Sequence, residues 1–98
     1  MQFTLKVTEY QKNLMLNICD ADLLGKNILQ NELIVTINKF YYGDQIIEKD
    51  EAKKLLENSS IINMVGKNII SLSLELGIGS EHGVKKISGV PFLIVFKL

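Results

Sequence analysis

The sequence predicts an α+β fold: one mixed or antiparallel sheet of four to six strands packed against two helices, the main one about residues 60–76. Three observations carry this expectation. Strand-like patterning sits at both ends of the chain, helical periodicity is gathered between them, and elements of the two kinds are segregated rather than alternating. The 98 residues, 47% of them hydrophobic, suit a single domain spanning 1–98. A chain of that length buries about 65% of its unfolded surface.

Gln2 to Thr8 alternates, with Phe3, Leu5 and Val7 on one face and Thr4, Lys6 and Thr8 on the other, the mark of a half-buried strand. Glu9 to Asn13 is a polar turn, and Leu14, Leu16 and Ile18 share a side of a second strand, so the chain is expected to open with a hairpin. Asp20 suits the cap of a short helical turn that Gly25 ends. Asn27 to Asn31 reads as a linker, and the β-branched run Leu33 to Ile37 as a third strand. Lys39 to Asp44 holds three of the seven aromatics and then a Gly-Asp turn, with Ile46 and Ile47 a short extension. Glu48 to Asn58 is helical, with acids early and Lys53 and Lys54 later, as the macrodipole favours; Ala52, Leu55 and Leu56 form its inward stripe.

The stretch Ser59 to Gly77 reads as the central helix. On a wheel of about 100° per residue, Ile61, Val65, Ile69, Leu72 and Leu76 fall in one arc, opposite Lys67, Ser71 and Glu75. Ser59 or Ser60 would cap the first turn, Gly77 the end, and Gly66 and Ser73 on the shoulder would admit a close neighbour. Ile70 and Leu74 make the apolar surface too wide for a simple amphipathic helix, so it is covered on two sides or meets a partner. Residues 79–83 then form a turn, Val84 to Ile87 a strand broken by Ser88-Gly89, and Phe92 to Leu98 a last strand opened by Pro91. Its run Phe92 to Phe96, apolar on both faces, suits a central position.

Composition excludes several classes. No apolar run approaches the ~20 residues of a membrane helix, and no export signal opens the sequence, so no membrane association and a cytoplasmic location are expected. Eleven acids balance eleven lysines, and there is no Arg. That disfavours a strongly basic nucleic-acid binder and removes the planar fork that reads phosphate or guanine bidentately.

Chemistry-bearing residues are few. One Cys and one His, Cys19 and His82, cannot make a tetrahedral zinc site, and no cofactor is implied. Cys19 stands beside Asp20, which raises a thiol pKa, so a small buried hydrophobe is the plainer reading; His82 reads as a solvated turn residue. Asp20 with Asp22, and Asp50 with Glu51, read as helix-start acids rather than acid–base pairs. The segments LLGKNIL (23–29) and MVGKNII (64–70) echo each other, yet neither is a phosphate loop: Asp20 and Ile61 stand where its first Gly belongs, and Asn27 and Asn68 where its Ser or Thr belongs. Two surfaces remain. Of Tyr41 and Tyr42, adjacent in Phe40-Tyr41-Tyr42-Gly43, one must reach the surface, as a stacking platform or as a ring at the core edge with its hydroxyl in water. Lys85 and Lys86, joined in space by Lys26 or Lys67, would grip phosphates; scattered solvated lysines are the plainer account.

Cys19-Asp20, Leu23-Leu24-Gly25-Lys26, Phe40-Tyr41 with Gly43, Val65-Gly66, and Ile87 with Gly89-Val90-Pro91 occur in that order. The pattern resembles the archaeal family catalogued as domain of unknown function 424, over nearly the whole chain. Where that family commonly has a His after Gly-Val-Pro, Phe92 stands here, so the resemblance carries no catalytic or metal-binding histidine to this position. It implies a small cytoplasmic archaeal protein and a link to RNA or translation. The functional expectation is therefore a non-enzymatic interaction module for RNA or a ribonucleoprotein, acting through Lys26, Tyr41, Tyr42, Lys67, Lys85 and Lys86. The alternatives are a protein-binding or homodimerising domain using Ile70, Leu74 and a sheet edge, and an enzyme acting through Cys19.

Overall fold

The computed structural model describes residues 1–97. β1 (Gln2–Tyr10) and β2 (Asn13–Asp20) form the expected hairpin. Its two connecting residues, Gln11 and Lys12, both have positive φ, as the tightest hairpin turn requires. A 3-10 turn at Ala21–Leu23 leads to a two-stranded ribbon, β3 (Asn27–Gln30) and β4 (Leu33–Thr36), and then to a single helical turn, α1 (Lys39–Tyr42). β5 (Gln45–Glu48), α2 (Lys49–Asn58), β6 (Ile61–Val65) and α3 (Lys67–Glu75) follow. A second 3-10 turn at Glu81–Gly83 precedes the hairpin of β7 (Lys85–Ile87) and β8 (Val90–Phe96). The fold is α+β: a six-stranded mixed sheet, order β5-β1-β2-β6-β8-β7, with the ribbon as a separate small sheet. Among the described residues only the β2–β6 pair is parallel.

The central stretch departs from its expected single helix. Residues 61–65 are a strand in the middle of the sheet, paired with β2 on one side and β8 on the other, and the helix begins only at Lys67. A run as short as Ile61-Ile-Asn-Met-Val fits either period, and here pairing on both edges gives every backbone group a partner. Gly66 makes the switch. It is not a mid-helix spacer but the residue before the helix, at φ 117°, where a side chain is strained. A Cβ there would also lie 2.5 Å from Asp20 Oδ2. Ser59 ends α2 and donates to the Leu55 carbonyl rather than capping a helix start. The burial of Val65, Ile69 and Leu72 is as expected, and Gly77 takes its positive φ past the helix end.

Other elements shift for related reasons. Residues 27–30 are a strand rather than a linker, and the 33–36 strand joins the ribbon rather than the main sheet. Residues 39–42 coil into a helical turn because Asn38 Oδ1 accepts from the Tyr41 amide at 3.1 Å. β8 lies second from one edge of the sheet, and only one of its faces is covered throughout. On the other face Ile94 and Phe96 are 58% and 67% exposed, so its expected burial on both faces fails.

Two cores result. Beneath α2 and α3 lie Phe3, Leu16, Ile18, Ile62, Met64 and Leu93. Across the sheet, a smaller core of Cys19, Ile28, Ile37 and Val65 packs beneath the ribbon, with Tyr42 and Phe92 at its rim. The helices thus cover most of one face, leaving Val7 and Leu14 exposed at the far end of the first hairpin; the ribbon and α1 cover only part of the other.

Candidate functional site

Strand register places the residues of the partly covered face in rows. One row, Thr4–Cys19–Val65–Phe92–Lys85, lies mostly under the ribbon. The next, Lys6–Asn17–Asn63–Ile94, and the one beyond it, Thr8–Met15–Ile61–Phe96, are not beneath it. The middle row is polar in two central strands, where Asn is ordinarily disfavoured. Asn63 Nδ2 donates to Asn17 Oδ1 at 2.7 Å, joining β6 to β2 through their side chains.

α1 forms the wall of this open face. Lys6 Nζ donates to the Phe40 carbonyl at 2.9 Å and sits 4.5 Å from the Phe40 ring centroid, a cation–π arrangement. The Phe40 and Tyr41 rings meet edge to face at 5.2 Å. Of the two tyrosines, Tyr41 is 55% exposed while Tyr42 turns into the smaller core, where burial pushes its phenol pKa up. Between this wall and β8 lies a shallow pocket of about 170 Å³ lined by Asn17, Asn63, Tyr41, Tyr42, Phe92 and Ile94. Thr8, in the outer row, has a buried Oγ1 with no hydrogen-bond partner among the described residues.

The six candidate residues therefore do not form one surface. Tyr41 and Tyr42 line the pocket of the open face, and Lys85 borders a neighbouring hollow with Phe92 and Ile94. Lys67 and Lys86 instead line a cleft of about 290 Å³ at the start of α3, together with Asp20, Asp22 and Pro91. Lys26 is exposed at the base of the ribbon, its amide donating to Leu23 O. Lys6, Asn17 and Asn63, which sequence reasoning missed, occupy the centre of the open face. The signal available for the amides was Asn inside strands, and it was hidden for Asn63 by reading its segment as helix.

The second cleft already contains its anion. Asp20 does not cap the 3-10 turn that follows it; its carboxylate accepts from the amides of Asn68 (3.0 Å) and Ile69 (2.9 Å) and so caps α3. Burial nevertheless raises its pKa, outweighing those two bonds and nearby Lys67. The Gly-Lys-Asn echoes diverge here: the first leads into β3, the second into α3, and both glycines have positive φ. Cys19 is fully buried, 3.1 Å from Thr4 Oγ1, with its thiol pKa raised chiefly by burial and further by Asp20. His82 is exposed in the 3-10 turn before β7.

These features define the class as a small α+β domain with a mixed sheet, helices on one face and an aromatic, amide-bearing surface on the other. The chain belongs to the family of proteins of unknown function DUF424, whose model matches residues 8–98. A structure described as an uncharacterized conserved protein from Methanopyrus kandleri is similar to it, with a TM-score of 0.80 at 23% identity, covering 100% of this chain and 95% of that one. That likeness shows a shared fold. No curated protein matches the chain. Among the described residues, no helix is long and apolar enough to cross a membrane.

Proposed function

We propose that the chain is a non-enzymatic interaction module that binds single-stranded RNA across the open face of its sheet. The observation that carries this reading is the grouping of Phe40, Tyr41 and Lys6 beside the uncovered Asn17–Asn63 row, with Lys85 on the flank. Bases stack on exposed rings in a sequence-tolerant way, and lysines meet the backbone phosphates as point charges. The site residues for this reading are Lys6, Tyr41 and Lys85. Cys19, fully buried and with a raised pKa, is a poor nucleophile, which favours binding over Cys-dependent catalysis. The test is a fluorescence-anisotropy titration of a labelled single-stranded RNA at ~50 mM salt, where backbone contacts are strong. Tyr41→Ala is expected to weaken binding by about ten-fold, the value of one lost base stack. Lys6→Ala/Lys85→Ala should weaken it further and flatten its salt dependence. The absence of any complex at that salt overturns the reading.

A second reading is self-association, favoured by one observation. Among the described residues no third strand pairs with the β3–β4 ribbon, which exposes Leu33 and Ile34 (69% and 68%) together with Leu29. Two copies would pair β4 with β4. The surface expected from sequence is not the one available, because Ile70 is 5% exposed and Leu74 packs against the main core. Sedimentation of the wild type and of Ile34→Lys decides it: a dimer dissociated by the lysine supports this reading, and a monomer at all concentrations removes it.

A further inference from the structure

We propose that Asn17 and Asn63 form a reading pair for the edge of one unpaired nucleobase held against Tyr41, an inference that rests on the RNA-binding reading above. The two asparagines face each other from adjacent central strands, in register, on the side of the sheet away from the helices. Their neighbours along the strands, Leu16, Ile18, Ile62 and Met64, are buried and apolar on the helical side. Asn inside a strand is unfavourable for packing; the mutual bond ties β6 to β2, yet it does not use up the polar groups of either amide.

Their mutual bond, Asn63 Nδ2 to Asn17 Oδ1, uses one N–H and one carbonyl lone pair. It leaves the Asn17 amide with two N–H donors and the Asn63 carbonyl as an acceptor, side by side. Turning both amides over exchanges the roles but still leaves a donor beside an acceptor. A phosphate offers only acceptors and would leave that carbonyl facing like charge. A nucleobase edge carries donor and acceptor together, and asparagine pairs with such edges in two-point fashion.

The pocket around the pair limits the size of its occupant. Its volume of about 170 Å³ is below the roughly 300 Å³ at which sites for larger ligands begin, which suits a single ring system. Tyr41 supplies a ring at its side, and Phe92 and Ile94 an apolar wall. A duplex, with its edges paired and its rings stacked inside the helix, has no base to insert. A single strand with splayed bases does.

The experiment compares four ligands on the wild-type protein by anisotropy at ~50 mM salt: a single-stranded RNA, the same strand with abasic sugars throughout, a blunt RNA duplex, and a free nucleoside as competitor. The expected result is at least about ten-fold tighter binding of the base-bearing strand than of the abasic strand or duplex, with competition by the nucleoside at high concentration. The variant arm is Asn17→Leu/Asn63→Leu, which replaces both partners and so leaves neither amide unpaired. It should bind the base-bearing strand about as weakly as wild type binds the abasic one, with an unchanged salt slope. Equal affinity of wild type for base-bearing and abasic strands overturns this inference while leaving RNA binding standing, and it needs no variant to fold. A folded double variant with undiminished affinity does the same. Failure of wild type to bind any RNA overturns both.

Discussion

At the residue scale, two positions hold the chain in its observed path. Gly66 combines φ 117° with direct contact against the Asp20 carboxylate, so Gly66→Ala adds both backbone strain and a clash. Its unfolding free energy in urea is expected to fall by about 2–3 kcal/mol; a loss below about 0.5 kcal/mol, the scale of an ordinary surface change, would contradict this account. Asp20 has a folded pKa raised above its ordinary 3.8. A carboxyl shifted in that direction holds its proton more tightly in the native state, so its contribution is greatest below 3.8 and declines as pH rises through the folded value. The stability difference between wild type and Asp20→Asn should therefore shrink as pH is raised from about 3 toward neutrality; a difference that grows with pH would show the carboxylate to be net stabilised instead. Cys19, buried and with a raised pKa, should react with a thiol reagent at pH 8 only as fast as the protein opens. Rapid labelling in the native protein would contradict this.

At the element scale, α2 and α3 are fastened by different means. α2 holds the sheet through Ala52 and Leu56, both fully buried. Leu56→Ala should cost about 2–5 kcal/mol, measured by thermal or urea unfolding, the range for truncating a fully buried leucine. α3 adds polar fastening at its C-terminal end, where the buried Ser73 hydroxyl donates to the Ile78 carbonyl at 2.7 Å and the Ile78 amide returns a bond to Ser73 O. The β3–β4 ribbon has far less beneath it: Ile28 is its one buried side chain. Its amides are expected to exchange with solvent well before those of β2 and β6, by hydrogen exchange under native conditions. Equal protection would mean that the ribbon opens only with the whole fold.

At the scale of the whole molecule, zero net charge limits what electrostatics contributes to a nucleic-acid complex. With Lys6 and Lys85 as the two cations on the proposed face, the slope of log affinity against log salt is expected to be about −1.4 for a single strand. A slope steeper than about −4 would need six or more lysines and would place the interface elsewhere. With the shallow slope of about −1.4, affinity rests on stacking and base edges, in keeping with a surface of rings and amides rather than a basic groove.

The N-terminal hairpin, α2, the turns at Gly25, Gly43, Gly77 and Gly89 and the last strand were legible because each depends on neighbours within a few residues: alternation, a turn glycine, a charge order along a helix. Gly66 was not, and neither Asp20 nor Ser59 caps the element its position suggested. The exposure of one tyrosine in 41–42 followed from adjacency alone. Asn63 and Lys6 were not legible as partners, since the register that sets Lys6 beside Asn17 and Asn17 beside Asn63 joins strands up to 46 residues apart. Residues 61–65 show the same limit most plainly. Their local pattern permits helix or strand equally, and only the presence of β2 and β8 on either side, each offering a ladder of backbone partners, decides for strand. By itself the sequence determined fold class, the stock of apolar residues from which a core is built and the poverty of catalytic groups, because composition and period fix how much must leave water; that Leu33, Ile34, Ile94 and Phe96 stay exposed was decided by the tertiary structure. Tertiary structure alone decided which side chains meet on the open face, because that depends on long-range pairing that no local pattern encodes.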